Sequence, residues 1–351
     1  ISFVSLFLQT KIFKMEILKN HSLKTFNTFG IDANAREFTI VENITELIDL
    51  VKQTPKNDFF ILGGGSNILL TKDIDKLVIQ LNLKGISIIE ESDDFVIVEA
   101  MAGEVWHEFV QFTLKNNFGG LENLSLIPGN VGTSPMQNIG AYGIEIKDSF
   151  YSCKALNLET FEIETFYNDA CKFGYRESVF KNELKGKYII LSVQFKLTKE
   201  NHKLHIDYGA IKQELEKMQI TNPTIQDVSK AVIQIRESKL PNPKEIGNSG
   251  SFFKNPVITK TQFEALLETN PNVPHYAVSE NEIKIPAGWL IEQAGFKGER
   301  FGDAGVHKNQ ALVLVNYGNA TGAEILAVAH QIQTKVNELF KINIIPEVNI
   351  I

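Results

Sequence analysis

Cysteine is almost absent from this sequence of 351 residues, which holds only Cys153 and Cys171. Two cysteines cannot form the disulfide framework of a small secreted protein, and these two do not have the spacing of a zinc site. The histidines offer no alternative, because His202 and His205 lie in a polar stretch without the further ligands that a metal needs. We therefore expect two structural thiols in a reducing compartment and no metal centre.

Long hydrophobic runs are also missing from the sequence. A helix that spans a bilayer needs about 20 consecutive apolar residues, and no segment approaches that length. The apolar start, residues 1–14, lacks the basic region and the small-residue cleavage site of a signal peptide. Because Met15 opens an ordinary globular sequence, we expect residues 1–14 to be an extension outside the fold. We also expect a cytoplasmic protein without membrane insertion.

An excess of positive charge is the third absence. The chain has 35 Lys and Arg against 42 Asp and Glu, a formal net charge of −7. General nucleic-acid binders and proteins of anionic membrane surfaces usually carry the opposite balance. The composition therefore disfavours a nucleic-acid partner, whereas a local basic pocket is compatible with it.

The apolar residues that are present alternate between helical and strand periodicity. At 43% apolar content the chain can bury a large core, and its length predicts two or three domains. The apolar spacing predicts helices at 43–52, around 105–118, at 226–238, 261–269 and 321–340, and strands at 59–62, 77–79, 95–98, around 155–166, at 188–197 and 311–315. The fold class is therefore α+β.

Three consecutive glycines, Gly63, Gly64 and Gly65, precede Ser66 and Asn67 directly after a predicted strand. Successive backbone N–H groups without Cβ atoms can hold a pyrophosphate. The segment lacks the Lys-Ser/Thr pair of a P-loop and the G-x-G-x-x-G pattern of a Rossmann turn, so neither ATP hydrolysis nor a Rossmann NAD site is supported. A plain tight turn is the alternative interpretation.

A second glycine-rich loop runs from Leu126 to Gly143 with little periodicity. Such a composition suits the close approach of backbone to a ligand. Two loops of this kind after strands can enclose one extended dinucleotide from both sides. Together they favour a nucleotide ligand.

The two loops together resemble the FAD-binding domain of the vanillyl-alcohol oxidase or PCMH superfamily. Within it, the sequence from about Leu18 to Val348 is similar to the MurB family of UDP-N-acetylenolpyruvoylglucosamine reductases, type I. The motifs that carry this resemblance are Asn27–Ile31, Gly63–Asn67, Pro128–Gly129, Gln137–Gly143, Tyr175–Arg176, Lys239–Pro241, Gly250–Pro256, Ala287–Ile291 and Pro346–Val348.

The resemblance implies a two-lobed FAD-binding domain followed by an α+β substrate-binding domain. The implied division is lobe 1 at 15–84, lobe 2 at 85–235 with the type I loop at about 201–218, and the substrate-binding domain at 236–351. FAD would be non-covalent, because no His or Cys of the loops matches the attachment points of other superfamily members. The implied FAD-binding residues are Gly63, Gly64, Gly65, Ser66, Asn67, Pro128, Gly129, Gly132, Thr133, Asn138, Gly140 and Gly143.

The family's reaction implies roles for three further residues. NADPH gives a hydride to FAD, the flavin passes it to the enolpyruvyl ether of UDP-N-acetylglucosamine, and Ser251 matches the serine that protonates the remaining carbon. Arg176 matches the arginine that binds the carboxylate, and Glu347 matches the catalytic glutamate. Without the resemblance, Ser251 is an ordinary turn serine, Arg176 a surface arginine and Glu347 a solvated acid.

The resemblance also implies a set of residues for the UDP-sugar. Lys239, Lys254, Asn255 and Gln310 match positions that line this site, and Tyr208 matches the tyrosine that closes over the bound substrate. Without the resemblance, each of them would be interpreted as an ordinary solvent-exposed polar residue.

Two other functions compete with the reductase. Another flavin oxidoreductase of the same superfamily would keep both glycine loops, but would not need Lys239–Pro241 with the Ser251 motif. A non-catalytic module that binds a flavin or a nucleotide sugar would need no proton donor, so Arg176, Ser251 and Glu347 together argue against it.

Overall fold

The computed structural model describes residues 15–351 and shows an α+β protein. The expected extension at 1–14 lies outside the described residues. The first sheet has four strands in the order β1-β2-β5-β3, in which β2 pairs antiparallel with β1 and parallel with β5. The elements of residues 18–81 are β1 (Leu18–Ser22), β2 (Asn34–Val41), α1 (Ile44–Gln53), β3 (Phe59–Leu62), the short β4 (Ile68–Leu69) and β5 (Ile74–Leu81), of which β4 lies outside this sheet.

The second sheet has five antiparallel strands in the order β11-β10-β12-β7-β6. The elements of residues 86–198 are β6 (Ile86–Glu91), β7 (Phe95–Met101), α2 (Trp106–Lys115), the two-residue strands β8 (Gly140–Ala141) and β9 (Ile144–Glu145), β10 (Phe150–Asn157), β11 (Ile163–Tyr167) and β12 (Tyr188–Thr198). Strands β8 and β9 pair with each other in a separate two-stranded sheet. The aromatic core residues Trp106, Phe109 and Phe195 pack together where α2 meets this sheet.

The remaining chain forms helices around two small antiparallel sheets, of four strands in the order β13-β19-β18-β17 and of three strands in the order β14-β16-β15. Its elements are α3 (Ile211–Lys217), α4 (Ile225–Lys239), β13 (Gly247–Asn248), β14 (Val257–Thr259), α5 (Lys260–Thr269), β15 (Tyr276–Ala277), β16 (Glu282–Lys284), α6 (Ala287–Gln293), β17 (Arg300–Phe301), β18 (Ala304–Val306), β19 (Leu314–Asn316), α7 (Gly322–Phe340) and β20 (Asn349–Ile350). The last strand returns to pair in parallel with β4, so the end of the chain lies directly behind the first glycine loop.

The first sheet and the C-terminal part of the chain share one buried cluster. Phe29, Phe38 and Val78 belong to the same contiguous apolar core as Phe252 and Ile332. Burial of this shared surface contributes about 25 cal/mol per Å² of apolar area, which holds the two parts together.

Local patterns predicted most helices to within one or two residues, whereas two predicted segments are corrected. Helix α2 begins after Val105, which is the N-cap residue and 43% exposed, so Val105 is not part of the buried helix face. The strand predicted at 311–315 is limited to β19, because Val313 N–H donates to Gln310 O and Phe252 N–H donates to Leu312 O. The first bond closes a turn, and the second joins Leu312 to the segment after Ser251, so neither extends the strand.

Within residues 15–351, no helix is both long and apolar enough to cross a membrane. The same residues contain no group of three or more His, Cys, Asp or Glu side chains placed to hold a metal ion.

Candidate active site

A cavity of about 640 Å³ lies between the two glycine-rich loops and the C-terminal segment. Its walls include the whole first loop, Gly63 to Asn67, together with Pro128, Thr133 and Gly140 of the second. The three residues expected to act in catalysis, Arg176, Ser251 and Glu347, lie on the same walls. Segments far apart in sequence therefore meet in one cavity.

The two glycine loops touch each other closely. A Cβ atom added to Gly63 would lie 2.6 Å from Cγ2 of Thr133, and one added to Gly64 would lie 2.6 Å from Oδ1 of Asn130. Both distances are shorter than ordinary van der Waals contact, so these positions require glycine for the loops to meet. The hydroxyl of Ser66 donates to Pro128 O at 3.2 Å and links the loops directly.

The backbone of the first loop fits a phosphate-bearing cofactor. The N–H groups of Gly63 to Asn67 are not among those that donate to a backbone carbonyl elsewhere in the described chain. The cavity walls also carry Arg176, Lys181, Lys185 and Arg236 against Glu347 as the one carboxylate among the described lining residues. Donors and cations that need acceptors match a diphosphate, so the residues present fit FAD.

Arg176 is held in a fixed position by an unusual backbone turn. The N–H groups of Gly174 and Glu177 each donate to the other's carbonyl, at 3.0 and 3.1 Å, and Arg176 in between has φ +56°. A residue other than glycine in this region costs about 1–3 kcal/mol and usually persists at functional sites. The turn directs the guanidinium toward Glu347 and the carbonyl oxygen of Gly140.

Arg176 and Glu347 form a largely buried ion pair. Nε of Arg176 lies 3.1 Å from Oε1 of Glu347, and their side chains are 17% and 14% exposed. Burial raises the pKa of the Glu347 carboxyl, whereas the charges of Arg176, Lys181 and Lys254 act in the opposite direction. The carboxyl is therefore placed to respond to the charge of any ligand in the cavity.

Gln137 connects this pair to the first glycine loop. Its side-chain oxygen accepts from Nδ2 of Asn67 at 2.9 Å, and its Nε2 donates to Oε1 of Glu347 at 3.4 Å. Asn67 Nδ2 also lies 3.4 Å from the backbone oxygen of Glu347. Two amide side chains, those of Asn67 and Gln137, therefore connect the first glycine loop to the Glu347 carboxylate.

Ser251 reaches the cavity because the segment after it pairs with the end of the chain. Glu347 N–H donates to Phe252 O at 2.7 Å, and Phe253 and Pro346 form an antiparallel bridge. Phe252 and Phe253 are buried, whereas Ser251 is exposed on the cavity wall. The same pairing therefore brings Ser251 and Glu347 to one place.

Several residues assigned to the cofactor do not line the cavity. Gly129, Gly132, Asn138 and Gly143 are not among the lining residues. Asn138 is buried with φ +45°, and its amide donates to Glu145 Oε2 and to Gly174 O. Its side chain therefore supports the Arg176 turn.

Of the residues assigned to the UDP-sugar, only some lie at the cavity. Asn255 lines the cavity and accepts from the N–H of Ala287 at the start of α6. Lys254 instead donates to Glu177, and Gln310 lies beside Gly288, outside the lining. Lys239, the last residue of α4, is exposed and also outside the lining.

Tyr208 lies beside Gly143, at the end of the second glycine loop. It is 49% exposed, and a Cβ atom added to Gly143 would lie 3.1 Å from its Cβ, so it covers the end of the second glycine loop. Burial raises the pKa of Tyr208, and the charge of Arg176 opposes this shift, which indicates that the two side chains are neighbours.

Sequence reasoning missed three basic residues of the cavity wall: Lys181, Lys185 and Arg236. Lys181 is five residues after Arg176, and its ammonium donates to the backbone oxygen of that residue at 3.3 Å. Burial, followed by the charge of Lys254, lowers the pKa of Lys181. The sequence offered one signal for Lys181, which is its position five residues after Arg176.

Comparison with known proteins gives matches to both parts of the chain. A family model described as UDP-N-acetylenolpyruvoylglucosamine reductase, C-terminal domain, matches residues 242–351, and one described as an FAD binding domain matches residues 36–159. A UDP-N-acetylenolpyruvoylglucosamine reductase of Flavobacterium johnsoniae is 64% identical over 337 residues, which cover 96% of this chain and 100% of the relative. One of Pseudomonas putida is 48% identical over 331 residues, which cover 94% and 97%.

A solved structure shares the whole fold. The crystal structure of UDP-N-acetylenolpyruvylglucosamine reductase from Thermus caldophilus has a TM-score of 0.65 and 23% identity, covering 96% of this chain and 98% of that one. At this identity the likeness supports the α+β architecture alone.

Proposed function

This chain belongs to the UDP-N-acetylenolpyruvoylglucosamine reductase family, and we propose that it reduces the enolpyruvyl ether of UDP-N-acetylglucosamine to UDP-N-acetylmuramate, a peptidoglycan precursor. FAD carries the electrons in this reaction, bound without a covalent link. NADPH is the proposed hydride donor, and the cytoplasm the proposed location.

One observation carries the proposal beyond family membership. Ser251 and the Arg176–Glu347 pair line the same cavity as Gly63 to Asn67, whose N–H groups donate to no backbone carbonyl within residues 15–351. A flavin oxidase would need the nucleotide loops without such a proton donor and anion site. A module that only binds a flavin or a nucleotide sugar would need neither the proton donor nor the anion site.

The reaction demands a donor and a counter-charge at the substrate. Bound FAD supplies the hydride that adds to the methylene carbon of the enolpyruvyl group. Negative charge then spreads from carbon two onto the carboxylate, where Arg176 supplies a fixed cation in a water-poor site. Ser251 donates its hydroxyl proton to carbon two and regains one from solvent.

Glu347 acts through Arg176 in this proposal. Its carboxylate accepts from Nε of Arg176 and from Nε2 of Gln137, which holds the guanidinium in one orientation. The N–H groups of the guanidinium that donate neither to Glu347 nor to the carbonyl oxygen of Gly140 are left for the substrate carboxylate. Such preorganisation removes the need to reorder the site as charge develops.

The UDP-sugar is assigned to the side of the cavity around Asn255. Tyr208 closes over it from the segment at 201–218, and Lys239, Lys254 and Gln310 complete the site when the segment closes. The proposed division of the chain is lobe 1 at 15–84, lobe 2 at 85–235 and a substrate-binding domain at 236–351.

An anaerobic stopped-flow experiment on the purified holoenzyme tests the function. NADPH should bleach the flavin absorbance, and the enolpyruvyl UDP-sugar should then restore it without oxygen. Restoration by oxygen alone would favour the flavin oxidase. Protein that is colourless and takes up no FAD would favour the binding module.

The same mixing experiment compares NADPH with NADH. Faster bleaching by NADPH at equal concentration supports NADPH as the hydride donor. Faster bleaching by NADH would show that NADH is the preferred donor instead.

A further inference from the structure

The segment that carries Tyr208 has few hydrogen bonds to its surroundings. Within residues 15–351, no backbone group of residues 200–209 bonds to another backbone group. One side chain of the described chain reaches the backbone of this segment: Nδ2 of Asn123 donates to the carbonyl oxygen of His205 at 2.7 Å. Asn123 is therefore the one polar tie to that stretch of backbone among the described residues.

The same amide also holds the second glycine loop. Nδ2 of Asn123 donates to the carbonyl oxygen of Tyr142 at 3.0 Å. Tyr142 has φ +50° and precedes Gly143, which Tyr208 covers. A residue other than glycine with such a positive φ is strained and persists only where its surroundings hold it. One amide therefore joins the two segments that meet where Tyr208 contacts Gly143.

Asn123 itself lies on a well-fixed turn. It is 1% exposed and belongs to the short 3-10 helix Glu122–Leu124. Nε1 of Trp106, the first residue of α2, donates to the last carbonyl oxygen of this turn at 2.9 Å. The hydroxyl of Ser125, which follows the turn, lies 2.7 Å from the hydroxyl of Ser229 in α4. The amide of Asn123 is therefore presented from the packed core.

The far end of the segment is held by apolar packing instead. Ile211, the first residue of α3, is fully buried in a cluster with α4. Gly209 has φ +64°, which lets the chain bend sharply before the helix. Residues 206–210 therefore form a short arch between His205 and Ile211, with Tyr208 at its centre.

We propose that Asn123 is a positioning residue for the reaction, which holds the arch at His205 so that Tyr208 covers the UDP-sugar. This inference rests on the proposed function, which assigns Tyr208 to that substrate. A loop held at both ends loses less conformational freedom when it orders over a ligand. Without the bond from Asn123, the free stretch would extend back to His202, whose ring bonds to Thr198.

The competing role of Asn123 is purely structural, since a buried amide that satisfies two carbonyl groups stabilises any fold. The two roles differ in how Asn123 depends on Tyr208. Residues that act through one another have non-additive effects, whereas independent residues have additive ones. A double-mutant cycle of Asn123 and Tyr208 therefore separates positioning from stability.

The cycle compares the FAD-loaded wild type with Asn123→Ala, Tyr208→Ala and the double variant. Steady-state rates with NADPH give kcat and the KM for the UDP-sugar, and stopped-flow bleaching by NADPH reports on the flavin alone. Asn168→Ala is the matched control. Its amide also joins two carbonyl oxygens, those of Lys147 and Phe150 at 2.7 and 3.1 Å, and none of these three residues lines the cavity.

Asn123→Ala should raise the KM for the UDP-sugar about 3- to 10-fold, because the most it can remove is the contact made by Tyr208. Both kcat and the rate of bleaching by NADPH should stay nearly unchanged. In the Tyr208→Ala background the same substitution should change KM by less than about 2-fold. Asn168→Ala should leave KM unchanged in either background.

Cleavage by trypsin after Lys203 measures the anchor without catalysis. Lys203 is exposed and lies two residues before His205. Cleavage requires the segment to open locally, which the bond from Asn123 opposes. In the FAD-loaded enzyme without substrate, Asn123→Ala should be cut there about 3- to 10-fold faster than the wild type. Asn168→Ala should be cut at the wild-type rate.

An equal change in KM with and without Tyr208 would overturn the proposal, and so would a cleavage rate that Asn123→Ala leaves unchanged. If Asn123→Ala does not fold, Asn123→Asp, which keeps the shape and lacks the N–H donors, decides by the same two measurements. A wild-type protein that does not reduce the UDP-sugar would refute the proposed function, whereas the cleavage rates would still test the anchor.

Discussion

Nε of Arg176 lies 3.1 Å from Oε1 of Glu347, although the two residues are 171 positions apart in the chain. Arg176 is presented by the tight turn between Gly174 and Glu177, and Glu347 by the segment that precedes the last strand. The ion pair therefore exists only when the end of the chain has returned to the first glycine loop.

Replacing Ser251 with alanine should separate the two half-reactions. We expect Ser251→Ala to leave bleaching of the flavin by NADPH nearly intact, because that step needs no proton donor at carbon two. Reoxidation by the enolpyruvyl UDP-sugar should slow by about 10²- to 10⁴-fold, the usual contribution of a general acid. Stopped-flow absorbance of the flavin measures both rates. Equal slowing of both half-reactions, or slowing of neither, would contradict the role of Ser251.

The charge of Lys181 should set the acid limb of the pH profile. Burial raises the pKa of Glu347, and Lys181 is one of the charges that lower it. Glu347 accepts hydrogen bonds as a carboxylate, so activity should fall as the pH drops through its pKa. Lys181→Met removes a stabilising charge from the carboxylate, so the acid limb should move to higher pH.

The pH dependence of flavin reoxidation by the UDP-sugar measures this shift. Lys185→Met is the matched control, because Lys185 also lines the cavity but is not among the charges that act on Glu347. An acid limb that stays in place in Lys181→Met, or that moves equally in Lys185→Met, would show that Lys181 does not act on Glu347.

Local patterns in the sequence predicted five of the seven α-helices in residues 15–351, because their determinants are local, and missed the seven-residue helices α3 and α6. Helix α4 was predicted at 226–238 and spans Ile225–Lys239, since Thr224 caps its start and Val228, Val232 and Ile235 form its buried face. The irregular stretch after Leu126 was predicted as a loop, and a short 3-10 helix at Val131–Gln137 with Pro135 inside it was not. Short tight turns of this kind carry no periodicity that a sequence pattern could detect.

The wall of the cavity was harder to predict than its loops. Gln137 contacts Asn67 and Glu347, which lie 70 and 210 positions away, so no local pattern reveals its part. Arg236 follows a regular helical pattern as a polar residue, which normally indicates a solvated position. It is buried because Tyr142 and the second glycine loop cover that end of α4, a contact that exists only in the folded chain.

Tyr208 should affect binding of the UDP-sugar and leave flavin reduction unchanged. The ring is half exposed above Gly143, a position from which it can cover a ligand without blocking the cavity. We expect Tyr208→Ala to raise KM for the UDP-sugar about 10-fold, which corresponds to one lost contact of about 1.4 kcal/mol. Tyr208→Phe separates the ring from the hydroxyl. A larger effect on bleaching by NADPH than on KM would contradict the assignment of Tyr208 to the substrate.

The contact between Gly63 and Thr133 should control the affinity for FAD. A Cβ atom at Gly63 would lie 2.6 Å from Cγ2 of Thr133. The threonine cannot easily turn away, because its Oγ1 donates to Asn130 O at 2.8 Å and its χ1 angle is restricted. Gly63→Ala should therefore push the two loops apart at a cost of about 1–3 kcal/mol.

We expect Gly63→Ala to weaken FAD binding by about 10- to 100-fold, because separated loops cannot enclose the cofactor together. The double variant Gly63→Ala with Thr133→Ser should recover most of this loss, since serine keeps the bond to Asn130 and lacks the clashing methyl group. Thr133→Ser alone serves as the control and should bind FAD as the wild type does. Titration of FAD into each apoprotein, followed by flavin fluorescence, gives the four dissociation constants. If the double variant binds FAD no better than Gly63→Ala, the glycine is needed for the ligand itself rather than for the contact between the loops.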